Sequence, residues 1–266
     1  MEVLNAQSIS IVFGGLKAVT NFNLKLEKGE LVGLIGPNGA GKTTIFNMLT
    51  GVYTPTSGKI LFGGKVSGEG SMQSIAGLTP YQITQMGIAR TFQNIRLFKD
   101  LTVLDNVRIA FHFGVKYNAL QAVLRTPAFY REENEITEKA RDLLKIFNIH
   151  EKENELAKNL PYGEQRKLEI TRALATNPRV LLLDEPAAGM NPQETHDLMN
   201  LIKFIRDKFD LTILLIEHDM SLVMGICERI AGLDYGQVIA VGTPAQISKD
   251  PKVIKAYLGE EVETGA

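Results

Sequence analysis

Gly36-Pro37-Asn38-Gly39-Ala40-Gly41-Lys42-Thr43-Thr44 is the stretch that decides the fold of this 266-residue chain. It fits the pattern G-x-x-x-x-G-K-[ST]. It stands between the apolar run Leu31-Val32-Gly33-Leu34-Ile35 and an apolar helix start at Ile45, Phe46, Met48 and Leu49. The glycines let the backbone curl so that several N–H groups point inward at an anion. The helix that follows adds the positive end of its dipole to the same place. Lys42 is long enough to reach the β- and γ-phosphates of a nucleotide, and the Thr43 hydroxyl can ligate Mg²⁺. Residues Gly36, Pro37, Asn38, Gly39, Ala40, Gly41, Lys42, Thr43 and Thr44 are therefore expected to cradle a nucleoside triphosphate.

Composition narrows the setting. Lys and Arg number 29 against 30 Asp and Glu, so the net charge is −1. That balance gives no electrostatic case for a nucleic-acid partner or an anionic lipid surface. The single cysteine, Cys227, excludes an intrachain disulfide, and its neighbours Val223, Met224 and Ile226 mark it as a small buried hydrophobe. Met1 to Asn5 lack the pattern of a signal peptide. No run approaches the roughly 18–20 apolar residues that a spanning helix requires. A cytosolic chain is expected, and any work at a membrane would go through a partner.

Residues 3–13 and 19–35 read as strands. Phe22-Asn23-Leu24-Lys25-Leu26-Glu27 alternates apolar with polar, as a half-buried antiparallel strand does. Lys28-Gly29-Glu30 turns the chain into the continuously apolar Leu31–Ile35. The glycine- and serine-rich stretch from Gly63 to Gly77 reads as a surface loop. From about Leu97 the pattern turns helical. Thr102-Val103-Leu104-Asp105 has capping-box form ahead of Val107 and Ile109. Ile136, Ala140, Leu143, Leu144 and Phe147 recur on one helix face. After the break at Leu160-Pro161-Tyr162-Gly163, Leu168, Ile170, Ala173 and Leu174 continue on a new helix. Val180–Leu183 and Leu211–Ile216 are strand-like again. Strands alternating with helices imply a parallel sheet with a helical excursion inserted in it.

Val180-Leu181-Leu182-Leu183-Asp184-Glu185 is the second strong signal. A buried strand ending in two carboxylates places them at the edge of a parallel sheet where ligands of open α/β folds bind. Asp184 can hold the Mg²⁺ shell, and Glu185 is left to orient or deprotonate the water that attacks the γ-phosphorus.

Asp184-Glu185-Pro186, with Leu160-Pro161-Tyr162-Gly163-Glu164-Gln165-Arg166 before it and His218 after it, resembles the ATP-binding subunit of an ABC transporter over nearly the whole chain. Gly87-Ile88-Ala89-Arg90-Thr91-Phe92-Gln93, Tyr162–Arg166 and Asp184-Glu185-Pro186-Ala187-Ala188-Gly189-Met190-Asn191-Pro192 narrow that resemblance to the ATPase subunits of high-affinity branched-chain amino acid importers.

The resemblance implies an α/β fold: a P-loop NTPase with a RecA-like parallel core, an N-terminal antiparallel β subdomain and an inserted α-helical subdomain. One ABC ATPase domain would span 1–266, with 1–96 and 160–266 as catalytic core and 97–159 as helical insert. It implies ATP and Mg²⁺ as ligands, with Thr43, Gln93 and Asp184 at the metal. Glu185, His218, Gln93 and Lys42 take catalytic roles. Phe13 would stack on adenine, though from the residue alone it also reads as a core phenylalanine at a strand end. His218 would contact the γ-phosphate, whereas His112, His150 and His196 have no motif context.

Leu160, Tyr162, Gly163, Glu164 and Gln165 match the signature segment, which the family places against the ATP of an opposing subunit. The implied partners are a second ABC ATPase subunit (a homodimer or a sister subunit), transmembrane permease subunits and, indirectly, a substrate-binding protein. The implied location is the cytoplasmic face of the membrane, held there by the permease. Two residues depart from the pattern. Pro161 stands where the family has a serine hydroxyl on the γ-phosphate. Asn191 stands where many members carry an aspartate.

Other classes fit less well. A soluble ABC-family ATPase of DNA repair or translation would carry two such domains or long coiled-coil insertions. A GTPase needs Asn-Lys-x-Asp, and no Asn here precedes Lys. A small-molecule kinase leaves Leu160–Gln165 and His218 unexplained.

Overall fold

The computed structural model describes residues 1–63 and 71–263, and the side chains of 259–263 are left aside. The chain divides into two compact units, Met1–Gln93 with Arg179–Ala266, and Asn94–Pro178. In chain order the first unit contains β1 (Glu2–Phe13), β2 (Leu16–Glu27), β3 (Leu31–Ile35), α1 (Lys42–Leu49), β4 (Ser57–Phe62), β5 (Gln73–Ser74), α2 (Pro80–Met86) and β6 (Ile88–Arg90). The second unit contains α3 (Val103–Phe111), α4 (Ala119–Val123), α5 (Pro127–Ile146) and α6 (Tyr162–Ala175). The chain then returns to the first unit as β7 (Val180–Asp184), α7 (Pro192–Phe209), β8 (Thr212–Ile216), α8 (Met220–Ile226), β9 (Arg229–Asp234), β10 (Gln237–Gly242), α9 (Pro244–Ile247) and α10 (Pro251–Glu263).

The first unit holds two sheets. One is antiparallel, in the order β2-β1-β4-β5. Its hairpin follows the predicted alternation: Phe22, Leu24 and Leu26 are buried while Asn23, Lys25 and Glu27 face water. The other sheet runs β10-β9-β3-β8-β7-β6, and β9, β3, β8, β7 and β6 are mutually parallel. Every residue of β3, β7 and β8 is buried, as strands covered on both faces must be. Leu4, Ile9, Phe22, Phe46, Phe62, Leu34, Leu182 and Leu214 belong to one core cluster, so helix α1 and both sheets share a single apolar interior.

Two expectations are corrected here. The stretch Gly63–Gly77 is not loop throughout, because Gln73 and Ser74 pair with Phe62 and Leu61 on β4, and Ile75 N–H donates to Ile60 O. Residues 64–70 of that stretch lie outside the described residues. The start of α3 forms only half of a capping box. Thr102 accepts from the Asp105 N–H at 3.0 Å, but the Asp105 carboxylate turns to the Thr102 hydroxyl and to Arg108. Aspartate is one methylene shorter than the glutamate that returns to the cap N–H in the full motif. Val107 is buried on this helix, whereas Ile109, two residues on and nearly opposite around it, is exposed.

In the second unit the face predicted from periodicity is the buried one: Ile136, Ala140, Leu143 and Leu144 on α5, followed by Phe147. This unit extends past the span 97–159 to take in α6, whose Leu168 and Ile170 are fully buried. Cys227, closing α8, is buried, and burial pushes its thiol up to about 12. The thiolate is the reactive form, so iodoacetamide at mildly alkaline pH should leave Cys227 unmodified in the folded chain and modify it fully in guanidinium chloride, read by mass spectrometry.

Candidate functional site

Register brings the signals together. Strands β3 and β7 flank β8, with Leu34 and Asp184 both opposite Ile216. The phosphate loop leaves β3 after Ile35, Asp184-Glu185 ends β7, and Glu217-His218 follows β8. Three loops therefore open side by side at the carboxyl ends of three adjacent parallel strands, the position where open α/β sheets bind ligands.

The loop needs glycine for steric reasons. Gly36 has φ +155°, and a Cβ there would lie 2.2 Å from the Leu233 carbonyl oxygen on β9. Gly41, the N-cap of α1, sits at φ +97°, and a Cβ there would approach the Ala18 oxygen to 2.9 Å. The loop is also braced from outside, because Gly236 N–H, in the β9–β10 turn, donates to Ala40 O at 3.0 Å. Lys42 is buried, and its Nζ donates to the carbonyls of Gly36 (2.6 Å) and Pro37 (2.8 Å). The ammonium is thus folded back onto carbonyls of its own loop. Thr43 lies exposed in the first turn of α1, where its hydroxyl is accessible to a ligand.

Glu185 is held in the left-handed region (φ 45°), and its N–H donates to Ile216 O on β8 at 2.9 Å. A bulky residue in that conformation is strained unless its surroundings fix it. Here both carboxylate oxygens are engaged: Gln93 Nε2 donates to Oε2 at 2.7 Å, and His218 Nε2 lies 2.7 Å from Oε1. Gln93, Glu185 and His218, far apart in sequence, meet at one carboxylate.

Asp184 is buried, and its Oδ2 accepts from Arg90 Nη2 at 2.6 Å. Glu217 is buried beneath the cluster. Its Oε1 accepts from the Ala187 N–H at 2.6 Å, and its Oε2 accepts from the N–H groups of His218 (3.0 Å) and Asp219 (3.4 Å). Burial pushes the Glu217 carboxyl above the ordinary carboxylate value, the three amides pull it back, and the nearby Glu185 charge adds to the rise.

Phe13 ends β1 as a residue 42% exposed, its ring edge-on to Tyr53 at 5.2 Å between centroids. Exposed aromatic surface of this kind can accept a flat base. In the second unit Pro161 is the N-cap of α6 and provides no side-chain cap. Gln165 is tethered locally, its N–H to Pro161 O and its Nε2 to Leu160 O. Glu164 is gripped by Lys152 Nζ at 2.6 and 2.7 Å, while Tyr162 is exposed. Asn191, the other departure, caps α7: its Oδ1 accepts from the Glu194 N–H, and Glu194 Oε2 accepts from the Asn191 N–H, each at 3.0 Å.

Sequence reading passed over Arg90, Asn47 and Tyr53 as functional residues and treated Glu217 only as a neighbour of His218. Glu217 had one available signal, a lone carboxylate immediately after an apolar strand. Arg90 stands inside the Gly87–Gln93 stretch without a role of its own there, and Asn47 and Tyr53 carry no signal outside their tertiary contacts.

A family model described as ABC transporter matches residues 19–188, and one described as branched-chain amino acid ATP-binding cassette transporter matches residues 237–263. Over 258 residues the chain is 48% identical to the high-affinity branched-chain amino acid transport ATP-binding proteins BraF of Pseudomonas aeruginosa and LivG of Escherichia coli strain K12. Each match covers 97% of this chain and 98% of the relative. An ATP-binding cassette of an ABC transporter, solved in its ADP conformation, superposes with a TM-score of 0.82 at 32% identity, covering 97% of this chain and 99% of that one. The chain therefore belongs to the ABC transporter family, as one of its nucleotide-binding ATPase subunits.

Proposed function

We propose that this subunit hydrolyses Mg·ATP in a site completed by a second ATPase subunit, and that it drives uptake of branched-chain amino acids through permease partners. The observation that carries the chemistry is the Glu185 carboxylate held between Gln93 and His218 beside the phosphate loop. Glu185 orients the attacking water and takes its proton. Lys42, held by the Gly36 and Pro37 carbonyls, reaches the β- and γ-oxygens and, with the loop N–H groups, offsets the charge that develops there. His218 exchanges its Glu185 contact for the γ-phosphate, so that the cluster reports whether the terminal phosphate is present. Phe13 offers its exposed face to the base.

The residues suit magnesium. A threonine hydroxyl (Thr43), one buried carboxylate (Asp184) and an amide carbonyl (Gln93) are hard oxygen donors, and magnesium is commonly held by one or two carboxylates together with substrate phosphates. When bound it would neutralise charge on the β- and γ-phosphates. Thr43 and Asp184 would hold it, with Gln93 at its edge.

Pairing is supported by the chain having one phosphate loop and one Leu160–Gln165 segment, with the latter in the separate unit Asn94–Pro178. The amino acid substrate is supported by the two 48%-identical relatives. Among the described residues no helix is long and apolar enough to cross a membrane, so attachment through permease subunits is the route we favour. The experiment is hydrolysis by the purified chain over a dilution series, with light scattering. Specific activity should rise with protein concentration, and ATP should double the apparent mass of a turnover-deficient variant. A dilution-independent rate with no ATP-induced association would refute the shared site.

A further inference from the structure

Arg90 ends the edge strand β6 and turns its side chain inward, where only 6% of it is exposed. Its Nη2 donates to Asp184 Oδ2 at 2.6 Å, and its Nη1 donates to Asn47 Oδ1 at 2.7 Å. The guanidinium also lies over two rings, 4.9 Å from the centre of Phe92 and 5.4 Å from that of Phe46. One cation thus touches the helix behind the phosphate loop (Phe46, Asn47), the carboxylate ending β7, and the residue before Gln93.

Stability alone gives a poor account of this arrangement. Arg90 Nε is buried with no hydrogen-bond partner among the described residues, which costs free energy. A buried ion pair is also often no more stabilising than apolar residues of the same volume. What arginine adds is direction. Its planar fork cannot lose its charge, stacks on aromatic faces and fixes the angle of the carboxylate it meets. Arg90 meets Oδ2, and Oδ1 is the oxygen this arrangement assigns to a metal or its water shell.

We propose that Arg90 is a positioning residue for hydrolysis: it fixes the Asp184 carboxylate and the backbone entering Gln93 in one arrangement, anchored to the phosphate-loop helix through Asn47. The proposal rests on Asp184 being the magnesium-holding carboxylate, and its test separates the two ideas.

Binding of fluorescent ADP is titrated with magnesium, and compared with binding in EDTA, for the wild type and for D184N, R90K and N47A, each checked for folding by circular dichroism. Lysine keeps the charge at position 90 but loses the fork and the stacking. R90K is expected to raise the half-saturating magnesium concentration about tenfold while leaving metal-free ADP binding unchanged, since partners that orient a ligating group typically alter metal affinity on that scale. N47A should shift it in the same direction by less than that, because it loosens Arg90 without touching either charge. Under saturating magnesium, R90K should lower kcat for ATP and leave KM in place. If D184N leaves the magnesium dependence unchanged, the metal role of Asp184 is wrong. If D184N shifts it while folded R90K and N47A do not, the role of Arg90 alone is overturned. Should R90K fail to fold, an unshifted N47A decides against it.

Discussion

Replacing Glu185 with glutamine is expected to lower ATP turnover by roughly a thousandfold or more, within the range that a positioned general base contributes. Nucleotide binding should survive, because glutamine matches glutamate in size and its amide oxygen can still accept from Gln93 Nε2, the donor now 2.7 Å from the carboxylate. The pairing with His218 Nε2 should weaken, since that imidazole then faces a neutral amide in place of a carboxylate. Glu185 is also the residue in a left-handed backbone conformation. Strain there is tolerated because its N–H is tied to Ile216 O and its side chain to two partners. E185Q preserves the backbone tie and the Gln93 bond and removes the charge that faces His218. Phosphate release and ADP affinity should be measured together: abolished turnover with intact binding supports the base, and turnover near the wild-type rate would remove it. His218→Ala is the companion variant. It frees Oε1 while leaving the Glu185 carboxyl and its bond to Gln93 in place, so its hydrolysis should fall less than that of E185Q.

A second large effect is expected at Glu217, which touches no nucleotide in this scheme. Its carboxylate accepts from three backbone N–H groups, of Ala187, His218 and Asp219, and so ties the loop after β7 to the loop after β8. Glu217→Ala would strand those donors where water reaches them poorly, at about 3 kcal/mol in all by the usual cost of unmade buried hydrogen bonds. For a chain of this length that corresponds to a fall in Tm of roughly 10 °C. Hydrolysis should fall further than stability alone explains, since both Glu185 and His218 lie on the loosened segments. Glu217→Gln keeps one acceptor oxygen, enough for the His218 and Asp219 N–H groups, but turns its NH2 on the Ala187 N–H, so it should recover only part of the Tm.

The two variants also separate pH behaviour. The carboxyl is raised in the folded chain by burial, so folding favours its neutral form. Its contribution to stability is therefore present at low pH and is lost as pH rises from the ordinary value of 4.5 through the raised one. Glutamine cannot ionise, so the E217Q curve of Tm against pH should rise relative to wild type across that interval. A parallel pair of curves would show that the Glu217 ionisation is not coupled to folding.

Local chemistry was enough to fix several features from the order of residues alone. Gly36–Thr44 after Leu31–Ile35 required a strand, a tight turn and a helix, because glycine, lysine and threonine at that spacing have few other uses and the flanking apolar runs supply the two elements. The alternation of Phe22–Glu27 and the helical spacing from Ile136 to Phe147 determined which faces are buried, since side-chain direction follows from backbone period. Asp184 and Glu185 were legible as the acidic end of a buried strand. Tertiary structure alone decided which distant residues share a site. Parallel register sets β3, β7 and β8 abreast, and only then do Gln93, Glu185 and His218 converge and Arg90 reach Asp184. No pattern along the chain encodes these meetings, because a strand pairing joins residues 31–34 to 213–216 through hydrogen bonds of the backbone, which is chemically the same at every position.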